Sequence, residues 1–319
     1  MRALVTGASG FVGAYLVEAL RREGAEVLAV GGPRDTTADY ATIDLADPQT
    51  LRAAFDALHP TVIFHLAAQT FVPDALRTPI ETYEANVMGT ARLVEAARNY
   101  GGDSPPRILF TSSAEVYGAR DPSEYPLRES IDLRPANPYG ASKAAAEAIL
   151  LGESRSFGAD VVIARAFNHI GPGQREHFVV ASLAAQLARI AAGAPPQLLV
   201  GNLDAARDFL DVRDVVAAYV ALARKGERGQ IYNVCSGRAV TIRDLLRELI
   251  GIARVPVEVR EDPDRMRAAD VPLSVGSSEK LRAQTGWQPQ IPLVRSLREI
   301  YQAARASFDS AQDDTTPPG

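Results

Sequence analysis

The chain has 319 residues, 46% hydrophobic and 23% charged, with a formal net charge of -5. That balance fits a folded globular protein and gives no overall basic field for nucleic acid or an anionic membrane surface. A single cysteine, Cys235, excludes an internal disulfide and a thiolate metal cluster, and reads as a core residue. His59, His65, His169 and His177 show no ligand spacing with carboxylates or with Cys235, so no metal is expected. Met1 runs directly into Arg-Ala-Leu-Val-Thr, without a charged and then apolar signal region. No later apolar run reaches the roughly 18 residues of a bilayer span, and the expectation is a soluble cytoplasmic protein.

A buried strand is predicted at residues 3–6, followed by the turn Gly7-Ala8-Ser9-Gly10-Phe11-Val12-Gly13 and an apolar helix to about Arg22. Glycines there permit a tight turn and close approach of backbone to a pyrophosphate. The helix N-terminus offers free N–H groups and positive potential to that anion. Further strands are predicted at 26–30, 62–66, 108–111 and 161–164, with helical patterns between them. This alternation implies an α/β fold, a doubly wound parallel sheet covered on both faces, over residues 1–170. From Gly171 the loops turn rich in Gly and Pro, and a smaller cap is expected over 171–306. Its elements are a helix near 179–192 and strands near 198–200, 230–234 and 257–259, with about 208–236 returning to the first domain. The polar stretch 307–319 has no periodic apolar residues and is expected to be disordered.

The strand at 108–111 leads into Thr111-Ser112-Ser113 and a turn through Glu115, so it presents hydroxyls at the carboxyl edge of the sheet, where open α/β folds bind ligands. Downstream, Asn137-Pro138-Tyr139-Gly140-Ala141-Ser142-Lys143 opens a helix. Pro138 suits its first turn, and Tyr139 and Lys143 fall four apart on one face. A lysine ammonium beside a phenol favours the phenolate, so the tyrosine pKa is expected below its usual value of about 10. Tyr139 is thereby the candidate proton donor and acceptor.

Taken together, these motifs resemble the extended, nucleotide-sugar branch of the short-chain dehydrogenase/reductase superfamily, from Met1 to about Ala304. The resemblance implies a Rossmann-like sheet with a C-terminal substrate-binding cap. Its Gly-x-x-Gly-x-x-Gly turn assigns Gly7, Ser9, Gly10, Phe11, Val12 and Gly13 to the cofactor. Asp44 and Leu45 would touch adenine, and Leu66, Ala67, Ala68 and Phe167 would line the cofactor cleft with Tyr139 and Lys143. No carboxylate closes the second strand; Arg34 there points to a 2′-phosphate and hence to NADPH, while Asp35 leaves NADH open.

In the same pattern Ser113 binds the reacting oxygen, Tyr139 exchanges its proton, and Lys143 holds the nicotinamide ribose. Asn86 completes the set through its helix. Asn168, Val200, Asn202, Arg207, Arg267 and Asp270 match the positions that hold the nucleotide sugar, with Arg207 first for the pyrophosphate because a guanidinium can pair two phosphate oxygens. The activity implied is reduction of the C4 ketone of GDP-4-dehydro-6-deoxy-D-mannose to GDP-D-rhamnose. Glu115 keeps a GDP-mannose 4,6-dehydratase open, an epimerase of the branch comes third, and a dinucleotide-sensing binding protein is the alternative outside enzymes. A homodimer is the family expectation, with the apolar stretch 93–97 as a candidate surface.

Overall fold

The computed structural model describes residues 1–32, 40–100, 105–265 and 271–313, the side chains of 310–313 excepted. The chain begins with β1 (Arg2–Thr6), α1 (Phe11–Arg22), β2 (Glu26–Gly31), β3 (Ala41–Thr42), α2 (Pro48–Leu58) and β4 (Val62–His65). Two short helices, α3 (Val72–Arg77) and α4 (Pro79–Tyr83), run through a π-helical turn at Glu84–Met88 into α5 (Gly89–Arg98). Then come β5 (Arg107–Ser113), α6 (Pro138–Phe157), β6 (Val161–Ala166), β7 (Asn168–Ile170) and α7 (Val179–Ala191). The next stretch holds β8 (Gln197–Val200), β9 (Ala206–Asp211), α8 (Val212–Lys225), β10 (Gln230–Val234) and β11 (Ala239–Thr241). It closes with α9 (Ile242–Ala253), β12 (Glu258–Glu261), β13 (Leu273–Ser274), α10 (Glu279–Thr285) and α11 (Leu293–Asp313).

Seven strands form one parallel sheet in the order β10-β6-β5-β4-β1-β2-β3. Parallel strands joined by helical crossovers are covered on both sides, which explains why β6 is buried along its whole length. Pleat alternation sends Ala3 and Val5 into the core beneath α1 and α8, with Leu16, Phe64, Leu109 and Tyr219. Leu4 faces the other way, into the core of Phe55, Ile63, Leu93, Phe110 and Leu150 beneath α2, α5 and α6. The strand order reverses between β1 and β4, so the crevice for a ligand opens at the carboxyl ends of these strands.

The smaller half is built on β9, whose first residues pair with β11 and β13 and whose last three pair with β7. β8 and β12 make a separate parallel pair. Leu187, Leu198, Leu245, Leu249, Leu297 and Ile300 form its core between α7, α9 and α11. Within the expected return of 208–236, α8 and β10 do rejoin the large sheet, while Asp208–Asp211 stay in the small one. A second return was not anticipated: Leu281 of α10 and Trp287 pack into the core of Val5 and Tyr219, and the Trp287 indole N–H donates to the Asp214 carbonyl at 3.0 Å.

Two expectations are corrected. α11 continues past Ser307 to Asp313, because a helix already anchored by Leu297, Ile300, Tyr301 and Ala304 extends by local hydrogen bonds; 314–319 lie outside the described residues. The apolar stretch 93–97 faces inward: Leu93, Val94 and Ala97 are buried in this chain's own core and cannot serve a partner. Leu109→Ala should lower the free energy of unfolding by about 2–5 kcal/mol in a urea titration, and a loss below ~1 kcal/mol would remove it from the core assignment.

Candidate active site

The turn after β1, the segment after β4, the end of β5 and the exit of β6 all meet at the carboxyl edge of the sheet. Gly7 holds a φ of +71°, and a Cβ there would lie 2.7 Å from the Ala67 nitrogen. Gly13 is pressed as closely: a Cβ on it would collide with the Gly7 carbonyl. Only glycine meets both conditions, and the turn is thereby packed tightly against the segment after β4 and against the start of α1. Gly10 occupies the N-cap of α1 and has no side chain to satisfy the first-turn N–H groups, which suits an anion. Ser9 and Gly10 are exposed, with Phe11 and Val12 half-buried behind them. Phe11 stacks on His169 at 6.2 Å, and Tyr15 donates to the Pro172 carbonyl at 2.9 Å, so α1 also fixes the loop after β7. These features fit a dinucleotide pyrophosphate.

Leu66, Ala67 and Ala68 are half-buried beside this turn, and the Ala67 amide donates to Thr6 Oγ1 at 3.3 Å. His65 is sealed in the sheet, bonded through Nδ1 to Thr6 at 2.8 Å and through Nε2 to Thr90 at 2.9 Å. Burial, then the charge of Lys143, hold it neutral with a pKa of about 3. Asp44 is exposed and accepts from the Ala46 amide at 2.8 Å, while Leu45 packs where a Cβ on Gly89 would sit 3.2 Å from it.

Asn137 caps α6, its Oδ1 accepting from the Gly140 amide at 2.8 Å, and Pro138 occupies the first turn as expected. Tyr139 is hydrogen-bonded to Ser113, and the Lys143 ammonium donates to the Thr111 carbonyl at 2.8 Å. Here the expected sign of the tyrosine shift is overturned. Burial pushes Tyr139 up to about 12 against the lowering effect of the Ser113 bond, and Glu115 raises it further. Burial also brings Lys143 down to about 7, opposed by Glu147. With its ammonium directed at a backbone carbonyl in a dry interface, Lys143 does not outweigh the desolvation of the phenol.

Glu115 accepts from Asn137 Nδ2 at 2.8 Å, which ties the turn after Ser113 to the start of α6. Asn86 is buried in the π-helical turn. It accepts from the Gln69 amide at 2.7 Å and donates at 2.9 Å both to the Gln69 carbonyl and to Ser142 Oγ, which itself donates to the Tyr139 carbonyl. The contacts of Gln69 and Ser142 with Asn86 have no local sequence signal, because they exist only where α6 packs on the π-helical turn.

Phe167 is buried against Tyr117, with ring centroids 6.3 Å apart, and Asn168 is exposed where β7 pairs with Phe209 of β9. Arg207 is half-buried on β9, two residues before Phe209, and one guanidinium nitrogen donates to the Ala206 carbonyl at 2.9 Å. Asn202 is exposed and its Oδ1 accepts from the Asp204 amide at 3.0 Å. Val200 differs from expectation: its side chain is core, and its carbonyl accepts from the Asp262 amide. Arg34, Arg267 and Asp270 lie outside the described residues. Among the described residues, no helix is long and apolar enough to cross a membrane, and no group of three or more His, Cys, Asp or Glu could hold a metal.

The family described as GDP-mannose 4,6 dehydratase matches residues 4–300. The chain is 42% identical over 302 residues to GDP-6-deoxy-D-mannose reductase of Pseudomonas aeruginosa, covering 94% of this chain and 95% of that one. It is 30% identical over 302 residues to GDP-6-deoxy-D-talose 4-dehydrogenase of Aggregatibacter actinomycetemcomitans, covering 94% and 97%. A solved structure of RMD from Pseudomonas aeruginosa complexed with NADPH superposes with a TM-score of 0.84 at 38% identity, over 96% of this chain and 100% of that one. UDP-glucose 4-epimerase of Thermus thermophilus in complex with NAD superposes with a TM-score of 0.85 at 32% identity, over 96% and 100%.

Gly13→Ala should weaken NADPH binding at least about tenfold, or ~1.4 kcal/mol, in a fluorescence titration; unchanged affinity would detach this turn from the cofactor.

Proposed function

This chain belongs to the GDP-mannose 4,6-dehydratase family, and from that premise we propose that it reduces the C4 ketone of GDP-4-dehydro-6-deoxy-D-mannose to GDP-D-rhamnose. The observation that carries the reading is its 42% identity, across nearly the full length of both chains, to a GDP-6-deoxy-D-mannose reductase. NADPH is the preferred cofactor, supported by the NADPH complex of the similar RMD, and NADH is a second donor, supported by the NAD complex of the epimerase. Bound at the glycine turn, the reduced cofactor would supply the hydride.

The chain's own groups do the rest. Ser113 and Tyr139 together bind the ketone oxygen, and the phenol protonates the alkoxide that develops there. A tyrosine held near 12 carries its proton at neutral pH, which matches donation in the reductive direction. Lys143 keeps its hydrogen bond to Thr111 and would supply positive charge to the ribose of a bound cofactor. On the cap side, Arg207 pairs with the pyrophosphate oxygens, and Asn168 and Asn202 flank the sugar nucleotide; Arg267 and Asp270 complete this set in the same reading. A cytoplasmic homodimer belongs to it as well, supported by exposed Leu76, Ile80 and Met88, with light scattering as the check.

A dehydratase remains the second reading, favoured by the half-buried Glu115 carboxylate next to the Ser113–Tyr139 pair. The two separate cleanly when the protein is given GDP-4-dehydro-6-deoxy-mannose and NADPH. Stoichiometric loss of reduced cofactor with GDP-rhamnose formed supports the reductase. No loss there, with conversion of GDP-mannose and no net cofactor change, would establish the dehydratase instead.

Tyr139→Phe should lower turnover by about 10²–10⁴-fold while leaving NADPH affinity intact; near-normal turnover would remove Tyr139 from the proton step. Arg207→Ala should raise the KM for the GDP-sugar by roughly 10- to 100-fold with kcat less affected. An unchanged KM would exclude Arg207 from the substrate site. Because the charge on Lys143 is present below about 7 and lost above it, kcat/KM should fall as pH rises through that region. A profile flat from pH 6 to 9, on the order of three units, would show that this charge is not required.

A further inference from the structure

The catalytic helix carries a third buried ionisable side chain that the chemistry above does not use. Tyr139, Lys143 and Glu147 stand four residues apart on α6, 9%, 3% and 1% exposed, and so form one stripe against the sheet. Three consecutive residues of β5 meet that stripe: Ser113 bonds Tyr139, the Thr111 carbonyl accepts from Lys143, and Ser112 Oγ donates to Glu147 Oε1. Arg165, beside Ser112 in the parallel register of β5 and β6, completes the contact. Its Nε donates to Glu147 Oε1 at 2.9 Å and its Nη2 to Oε2 at 2.6 Å. The same guanidinium donates through Nη1 to Tyr117 OH at 3.0 Å and to the Glu129 carbonyl at 3.3 Å, reaching the loop that follows Ser113 and Glu115. Tyr117 passes the chain on to Asn233 of β10 at 2.7 Å.

We propose that Glu147 and Arg165 are positioning residues, whose buried ion pair clasps α6 to the ends of β5 and β6 and keeps the Ser113 hydroxyl in register with Tyr139. Stability alone does not call for such a pair, since well-packed apolar residues of similar volume usually serve a buried position as well or better. What apolar residues cannot do is hold Ser112 by a directional bond one residue from Ser113. The carboxylate also acts on Lys143. Facing that ammonium are Glu147 from α6, neutral His65 from β4, and the Phe110 ring and Thr111 carbonyl from β5. Glu147 is the carboxylate among these, and its charge favours the charged lysine against desolvation.

The turnover part of the test rests on the reductase reading; the second part does not. The variants are Glu147→Gln, the double variant Glu147→Gln/Arg165→Met, which leaves no buried charge unpaired, and Ser112→Ala. For each, kcat, KM and NADPH affinity are measured with the ketosugar. The Cε signals of 13C-labelled lysine are titrated by NMR, a tractable spectrum because the chain has three lysines, Lys143, Lys225 and Lys280.

Both Glu147 variants should lose about tenfold or more in kcat, with KM and NADPH affinity within about twofold, and the Lys143 midpoint should move to lower pH. A folded double variant with wild-type kcat and an unmoved Lys143 midpoint would overturn the proposal, as would a lower melting temperature as the only change. Should neither Glu147 variant fold, Ser112→Ala decides: a several-fold loss of kcat at unchanged melting temperature supports the clasp, and wild-type kcat rejects it. If the wild-type protein oxidises no NADPH with the ketosugar, the reductase reading fails and the lysine titration alone decides this one.

Discussion

Desolvation beneath α6 is the condition that the catalytic half of the molecule has to satisfy. A helix lying flat on a parallel sheet excludes water from whatever its inner face carries, and here that face carries a phenol, an amine and a carboxylate. In such a medium the neutral forms gain unless a partner compensates. Tyr139 therefore keeps its proton, Lys143 comes down toward neutrality, and His65 on the strand below carries no charge. Arg165 grips both oxygens of Glu147 and so supplies the partner that this carboxylate needs away from water. The hydroxyls that end β5 are the polar complement to this stripe, and they explain why a strand that runs through Ile-Leu-Phe finishes in Thr-Ser-Ser.

Around that interface the architecture works by convergence. Four strands of the large sheet each deliver one short segment to the same edge: a glycine turn from β1, small residues from β4, a hydroxyl from β5, an asparagine past β6. The cap contributes through β9, which lies beside β7 and so puts Arg207 close in register to Asn168. Two small networks hold these pieces in place, one through Gln69, Asn86 and Ser142 and the other through Asp208, which accepts from Ser236 and Gly237. Both networks fix backbone from which side chains of the candidate site extend.

Legibility in the sequence followed the range of the interactions. The turn at Gly7–Gly13, the end of β5 and the Tyr139–Lys143 spacing are local patterns, and each appears in the structure as the expected element. The Glu147–Arg165 pair joins residues 18 apart in sequence whose proximity depends on β6 lying next to β5. Asn86 was identified by resemblance, yet its partners Gln69 and Ser142 emerge only when α6 packs on the π-helical turn. The sign of the Tyr139 shift was missed because spacing reports a nearby charge and says nothing of how much water is lost. For Val200 the sequence likewise does not tell which side of the segment faces inward, and its side chain lies in the core of the small half.

The late return of the chain to the large sheet has a bearing on how the protein is made. β10 adds the sheet's last strand, and Leu281 with Trp287 covers part of the core shared by Val5 and Tyr219. On the ribosome, the large-sheet half thus waits for Trp287 before its apolar surface is closed, although most of its strands emerge early. Such high sequence separation slows closure and leaves strand edges exposed in the meantime. A fragment ended near residue 170 would therefore be an aggregation-prone piece of the sheet and not an independently folding module.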